Sequence, residues 1–203
     1  MSAGELAPSL GIIEATWERN ENQTASTSND GESDVLEFAD PFWTAKVKVT
    51  ITSRDQFDIW DSFFARRQLS VNSFTMWRSL RVRPRDPLIT SDAGLALSGI
   101  DVGASTISLT GYGIGRKASL GDMIGYRTAG NGYWVGQVVQ EATANGTGAI
   151  TASVWPRPAA PHATTPAPRR FKALGEFRMI KAPDPKEAYM DWDYRFEAEQ
   201  VLR

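Results

Sequence analysis

The chain has 203 residues, 41% of them hydrophobic and 10% aromatic, enough to bury a core and far from a disordered composition. Its 22 basic and 24 acidic residues leave a net charge of −2, which gives no support for a protein held to nucleic acid by phosphate contacts. The absence of cysteine excludes disulfides, Cys-ligated zinc, iron–sulfur clusters and thiol catalysis, and it fits folding in a bacterial cytosol.

The opening MSAGELAPSLGII has neither a basic start nor a long apolar stretch, so it does not read as a secretory signal. No run approaches the ~18 apolar residues of a membrane span. Residues 10–17 read as a strand. Residues 20–34, NENQTASTSNDGESD, hold no large apolar side chain and read as a solvated hairpin loop, followed by a short strand over 35–38. Period-two alternation is strongest over 42–51. There Ala45, Val47, Val49 and Ile51 share one face, and Thr44, Lys46, Lys48 and Thr50 share the other.

Residues 53–69 break that pattern. Ser53 and Gln56 form a capping-box pair, Asp55 sits in the first turn, and Arg66 and Arg67 sit in the last. Phe57, Trp60 and Phe64 recur at i, i+3 and i+7, with Ile59 and Phe63 widening the stripe. This predicts one amphipathic helix over 54–69, packed across a sheet or against a neighbouring subunit. A further strand is predicted over 73–78.

The grammar changes at 81–92, RVRPRDPLITSD, where prolines and charges mark an exit from the first unit. Up to about residue 158 glycines are frequent and the predicted strands are short: 105–110, 121–127, 132–140 and 149–155. Asn131-Gly132 and Asn145-Gly146 supply turn chemistry between them. Such spacing predicts a small, closed or nearly closed barrel. Five prolines over 156–169 predict an extended connector. Long strands return at 175–180 and 190–201. In the latter Trp192, Tyr194, Phe196 and Ala198 alternate with Asp191, Asp193, Arg195, Glu197 and Glu199. The expected fold is mainly β. Residues 1–82 and 170–203 form a discontinuous β-sandwich with helix 54–69, and 83–169 form an inserted small β-barrel whose last part is the connector.

Catalytic patterns are sparse. The single histidine, His162, falls in the connector, a poor place to orient an imidazole. Most carboxylates lie on the charged faces of strands. The cluster from Gly111 to Lys117 fails the phosphate-loop pattern, because Arg116 replaces a glycine and Ala118 replaces Ser or Thr. The seven tryptophans, by default core residues, could include interface anchors. Neither enzymatic activity nor a cofactor or metal is expected.

The stretch from 105 to 158 nevertheless carries a pattern. A strand ends in a glycine loop (Leu109, Gly111). Then come Leu120, Gly121, Asp122 and Met123, an aromatic strand ending at Val138, and Asn145, Gly146 and Gly148. A last strand ends in Val154, Pro156, Arg157 and Pro158. Ahead of it stand the alternating residues 43–53 and a Phe-rich helix (Phe57, Phe63, Phe64). Behind it stand Phe177, Arg178, Met179 and the 194–201 strand. Over roughly residues 40–203 this resembles the distal tail proteins and related tail-tip proteins of long-tailed phages and gene transfer agents.

The resemblance implies a virion subunit, assembled in the host bacterial cytoplasm. It implies a ring, commonly hexameric, that joins the tail tube protein to the baseplate hub or to fibres, with no sequence recognition of nucleic acid and no membrane insertion. The ring-forming body would be strand 42–51, the helix and strand 190–201. Expected interface residues are Trp43, Lys46, Lys48, Arg66, Arg67, Asp191, Asp193, Arg195 and Glu197. The 20–34 segment would order against a neighbouring ring. Two rival expectations are a head–tail joining protein and a carbohydrate-binding tip protein, the latter with Tyr133 and Trp134 beside Asp122 as its platform.

Overall fold

The helix shows how local sequence sets the architecture. In the computed structural model, which describes residues 5–9, 12–27, 33–37, 39–67, 72–159, 167–181, 186–188 and 191–202, α1 runs Arg54–Arg67. Ser53 Oγ accepts from the N–H of Gln56 at 3.3 Å, which caps the first turn. Gln56 Oε1 accepts from the N–H of Thr52 at 3.1 Å, one residue earlier than a strict capping box would have it. Phe57, Trp60, Phe63 and Phe64 turn inward. Ile59, expected to widen that stripe, is exposed, because it lies about 100° round the helix from Trp60. Positions 68 and 69 of the expected helix lie outside the described residues.

The fold is mainly β, with several sheets in a sandwich-like arrangement. Before the helix come β1 (Glu5–Leu6), β2 (Ile12–Asn20), β3 (Gln23–Thr27), β4 (Ser33–Glu37) and β5 (Phe42–Ile51). After it come β6 (Phe74–Trp77), β7 (Ala96–Asp101), β8 (Thr106–Thr110), β9 (Lys117–Ala118), β10 (Met123–Arg127), β11 (Tyr133–Val138), β12 (Ala142–Thr143) and β13 (Ile150–Trp155). The chain ends with β14 (Leu174–Lys181), β15 (Lys186–Ala188) and β16 (Asp191–Gln200). The expected loop over 20–34 is corrected: β3 and β4 pair antiparallel from Gln23↔Glu37 to Thr27↔Ser33 as a two-stranded ribbon. The strand expected over 35–38 overlaps β4, while the polar sequence of β3 hides its pairing, because ladder hydrogen bonds need no apolar face.

Seven strands form the larger sheet, in the order β1-β6-β14-β16-β5-β2, with β15 on β16. Alternation along β5 and β16 sends Ala45, Val47, Val49, Tyr194, Phe196 and Ala198 to one face, where they are buried. The helix lies on this face through its aromatic rings. Phe57 stacks on Tyr194 at 6.0 Å, Phe63 meets Phe74 edge-on at 5.4 Å, and Trp60 tilts against Phe196 at 6.0 Å. A cavity of about 140 Å³ is lined by Ile12 and Ala15 of β2, Val47 of β5, Trp60 of α1 and Met76 of β6. Side chains from opposite ends of the strand order line one space, so the sheet curls around the helix.

A second sheet, β10-β11-β13-β8-β7, with the small pair β9-β12 beside it, encloses its own core of Ile107, Leu109, Ile124, Tyr126, Trp134 and Val154. Its end strands β7 and β10 are not paired with each other. The Gly111–Lys117 stretch is a turn between β8 and β9. A Cβ at Gly111 would lie 1.9 Å from the carbonyl oxygen of Gly94, and its φ is +69°, so only glycine fits there.

The two sheets are packed together. Gln200 of β16 donates from Nε2 to the carbonyl of Val135 at 3.0 Å, and the rings of Trp43 and Trp155 meet edge-on at 4.5 Å. Gly175 must lack a side chain, since a Cβ would sit 2.3 Å from Val135 Cγ1. Where the chain returns to the larger sheet, Arg170 is only 3% exposed. Its Nε meets Asp92 at 3.0 Å, and its guanidinium also donates to the carbonyls of Ser91 and Tyr112 at 2.7 and 3.1 Å.

Burial raises the phenol of Tyr112 to about 12, and it pushes up Tyr126, whose hydroxyl donates to the carbonyl of Ala159 at 2.6 Å. A raised folded pKa means the stabilisation is full below the ordinary phenol value of about 10 and is lost as pH rises through the folded value. Phenolate absorbance should therefore lag for two tyrosines until alkaline unfolding, between about pH 10 and 12, releases both together. Simple titration of all tyrosines near the free value would contradict this burial.

Candidate assembly surface

The same alternation that fills the core leaves the other face of the larger sheet in solvent. Register places Thr16↔Lys46, Glu14↔Lys48, Arg195↔Lys48 and Glu197↔Lys46 side by side on that face. Lys46 meets Glu18 at 2.8 Å, and Lys48 meets Asp193 at 3.1 Å. Thr50 Oγ1 donates to Asp193 at 2.7 Å, Arg178 pairs with Glu199, and Lys181 stands 4.0 Å from Glu197. The hydrogen bond to Glu18 raises the Lys46 ammonium above its usual value, and hydrogen bonds from Thr50 and Lys48 lower the Asp193 carboxyl. Both shifts keep Lys46 and Asp193 charged across neutral pH. The Asp193 contribution is present above the ordinary carboxylate range and is lost as pH falls through its lowered value. Exposed pairs of this kind add little stability and are screened by salt. Their effect is to pattern the surface.

The expected interface residues divide. Lys46, Lys48, Asp193, Arg195 and Glu197 share this one face. Arg66 lies apart, on the helix, paired with Glu5 at 3.0 Å. The side chains of Arg67 and Asp191 lie outside the described ones. Trp43 is corrected. It is 1% exposed and belongs to the core, because it has the same parity along β5 as Ala45 and Val47. It cannot face a partner subunit.

The expected glycan platform is corrected too. Trp134 is buried, its ring lies against Tyr126 at 4.9 Å, and its Nε1 donates to the carbonyl of Arg157 at 3.0 Å. Asp122 is buried and accepts from the backbone N–H groups of Arg85 and Ser119 at 2.9 and 3.0 Å. Both side chains build the fold. His162 lies outside the described residues. Among the described residues no three His, Asp or Glu side chains are grouped to hold a metal ion.

Two features escaped the sequence reading. One is the edge of the larger sheet, where among the described residues the nine-residue strand β2 pairs with β5 alone and runs through Glu21 and Asn22 into the ribbon. Asn22 takes the left-handed φ of +47°, and its Nδ2 donates to the carbonyl of Asp40 at 3.2 Å, which ties the two legs of the ribbon at its base. Among the described residues the ribbon strands β3 and β4 pair with each other and with no other strand. The other feature is a group of arginines near Gly121, which residues far apart in sequence build together. No protein-family model matches the chain, and no curated protein matches it.

Proposed function

We propose that the chain is a structural subunit of a phage tail tip, assembling head-to-tail with copies of itself into a closed ring that links the tail tube to the baseplate hub or fibres. The observation that carries this reading is the β3–β4 ribbon, which continues from an open sheet edge and, among the described residues, pairs with no other strand. Two strands alone are at best marginally stable in water, so a ribbon of this kind calls for a further surface to cover it. The bare, charge-patterned face beside it suits register-setting contacts between subunits, where matched charges steer partners and disfavour wrong ones. A surface of one kind that meets a different surface on the next copy generates a ring when the rotation closes. The motif pattern over 105–158 adds the tail-tip assignment to this picture.

The test is the mass of the purified chain by light scattering after size-exclusion chromatography, across concentration. The expected result is a discrete multiple of the 22.3 kDa chain. A monomer at every concentration that binds host polysaccharide would overturn the proposal in favour of an adsorption protein.

A further inference from the structure

The ribbon and the arginine group carry opposite charges. From Asn20 to Asp40 the sequence holds six acidic residues and no basic one, among them Glu21, Asp34, Glu37 and Asp40. From Arg78 to Arg85, RSLRVRPR, it holds four arginines and no acid. The fold brings Arg19 to these arginines. A Cβ on Gly121 would lie 3.9 Å from the Nη2 atoms of both Arg81 and Arg85, and 3.3 Å from Nε2 of Gln137. Gln137 Oε1 in turn accepts from Arg19 Nη2 at 3.4 Å. The group therefore converges on one small surface around Gly121.

The described chain offsets this charge only in part: buried Asp122 acts electrostatically on Arg85 and Arg81 without an ion-pair contact. Among the described residues, Arg19, Arg78, Arg81 and Arg85 form no ion pair. The carboxylate beside them, Asp122, already accepts two backbone N–H groups from within the fold. Arg78 Nε is buried with no hydrogen-bond partner, and burial together with the charges of Arg81 and Arg19 lowers its pKa. Arg19 and Arg78 lie over the rings of Trp155 and Trp43, at 5.1 and 5.8 Å, which holds both guanidinium groups in place. Leu80, 74% exposed, and the exposed Leu120 and Val139 adjoin the same residues along the chain. Arginine with exposed apolar side chains, prepositioned and unpaired, is the composition of a protein-binding surface.

We propose that this arginine cradle receives the acidic β3–β4 ribbon of a second copy of the chain. The inference rests on the self-assembly reading above and gives it its two complementary surfaces. Each copy carries one ribbon and one cradle, so each contact leaves a free ribbon at one end and a free cradle at the other, as a closed ring requires. Five-residue strands give the ribbon a reach of roughly 17 Å, enough to cross a subunit boundary. Charge-assisted hydrogen bonds from guanidinium to carboxylate supply register, and the contact weakens as salt rises.

Charge reversal of the full-length protein tests this. One variant carries Arg81→Glu with Arg85→Glu, and another carries Asp34→Lys with Glu37→Lys. Each alone should need at least a tenfold higher concentration to assemble, read by sedimentation velocity. Mixed together they should assemble again, because each variant's ribbon then meets a cradle of opposite charge. Thermal melts check the fold of each; if the melt of the first variant is lost, Arg81→Gln with Arg85→Gln replaces it and is read alone, without the mixture. If either variant assembles like the unaltered chain, or the mixture stays apart, the cradle–ribbon contact is wrong while self-assembly stands. If the unaltered chain is monomeric and the variants only lower its melting temperature, the ribbon docks within its own chain and both proposals fall.

Discussion

Trp60→Ala is expected to remove about 3–5 kcal/mol of folding stability. Trp60 is 0% exposed, and its ring lies between Phe63 at 5.7 Å, Phe64 at 5.5 Å and Phe196 at 6.0 Å. These rings anchor the helix to the curled sheet. The indole also lines the cavity of about 140 Å³, so its loss would merge a new void with an existing one and leave the surrounding side chains without contacts. Urea unfolding should show a lower midpoint with an unchanged slope, which separates lost stability from an altered denatured state. A loss below about 1 kcal/mol would mean that the helix is not what fills the concave face.

Arg170→Ala should cost about 2–4 kcal/mol, and Arg170→Lys should recover little of it. The guanidinium spans Asp92, the carbonyl of Ser91 and the carbonyl of Tyr112, and it lies 4.5 Å over the Tyr112 ring. A lysine ammonium cannot reach these separate positions at once. The lower end of the range allows for Asp92, whose side chain is 21% exposed and keeps the backbone N–H groups of Arg170 and Phe171 at 3.1 Å. Because this knot joins the exit of the larger sheet's chain to its return, the loss should also lower cooperativity between the two sheets. Equilibrium unfolding followed by both tryptophan fluorescence and far-ultraviolet dichroism checks this. Coincident transitions with wild-type midpoints would contradict it.

Strands β5 and β16 were legible because one buried face and one wet face force strict alternation in long strands. The helix was legible because its cap and its aromatic spacing are both local. Trp43 shows that the same signal could have been used further. Its parity with Ala45 and Val47 already places it in the core, and only its large aromatic ring suggested an interface. Only part of the ribbon was legible: the strand expected over 35–38 overlaps β4, while β3, QTAST, has no large apolar residue to write a period into the sequence. Strand β7, ALSGID, was missed because its residues are half-buried at most around Gly99. The short β1 carries no pattern in two residues, and its parallel partner β6 is distant in sequence. The arginine cradle depends on Arg19, Arg81, Arg85, Gly121 and Gln137, which only the finished topology brings side by side.

Hydrogen exchange of the intact chain, measured below and above the concentration at which it assembles, tests most directly whether the ribbon is covered by another copy. The amides of Gln23–Thr27 and Ser33–Glu37 and those of residues 78–85 should slow together in the assembled sample, while the helix exchanges at the same rate in both. Ribbon amides that exchange identically in both samples would show that the ribbon is not the surface this protein assembles through.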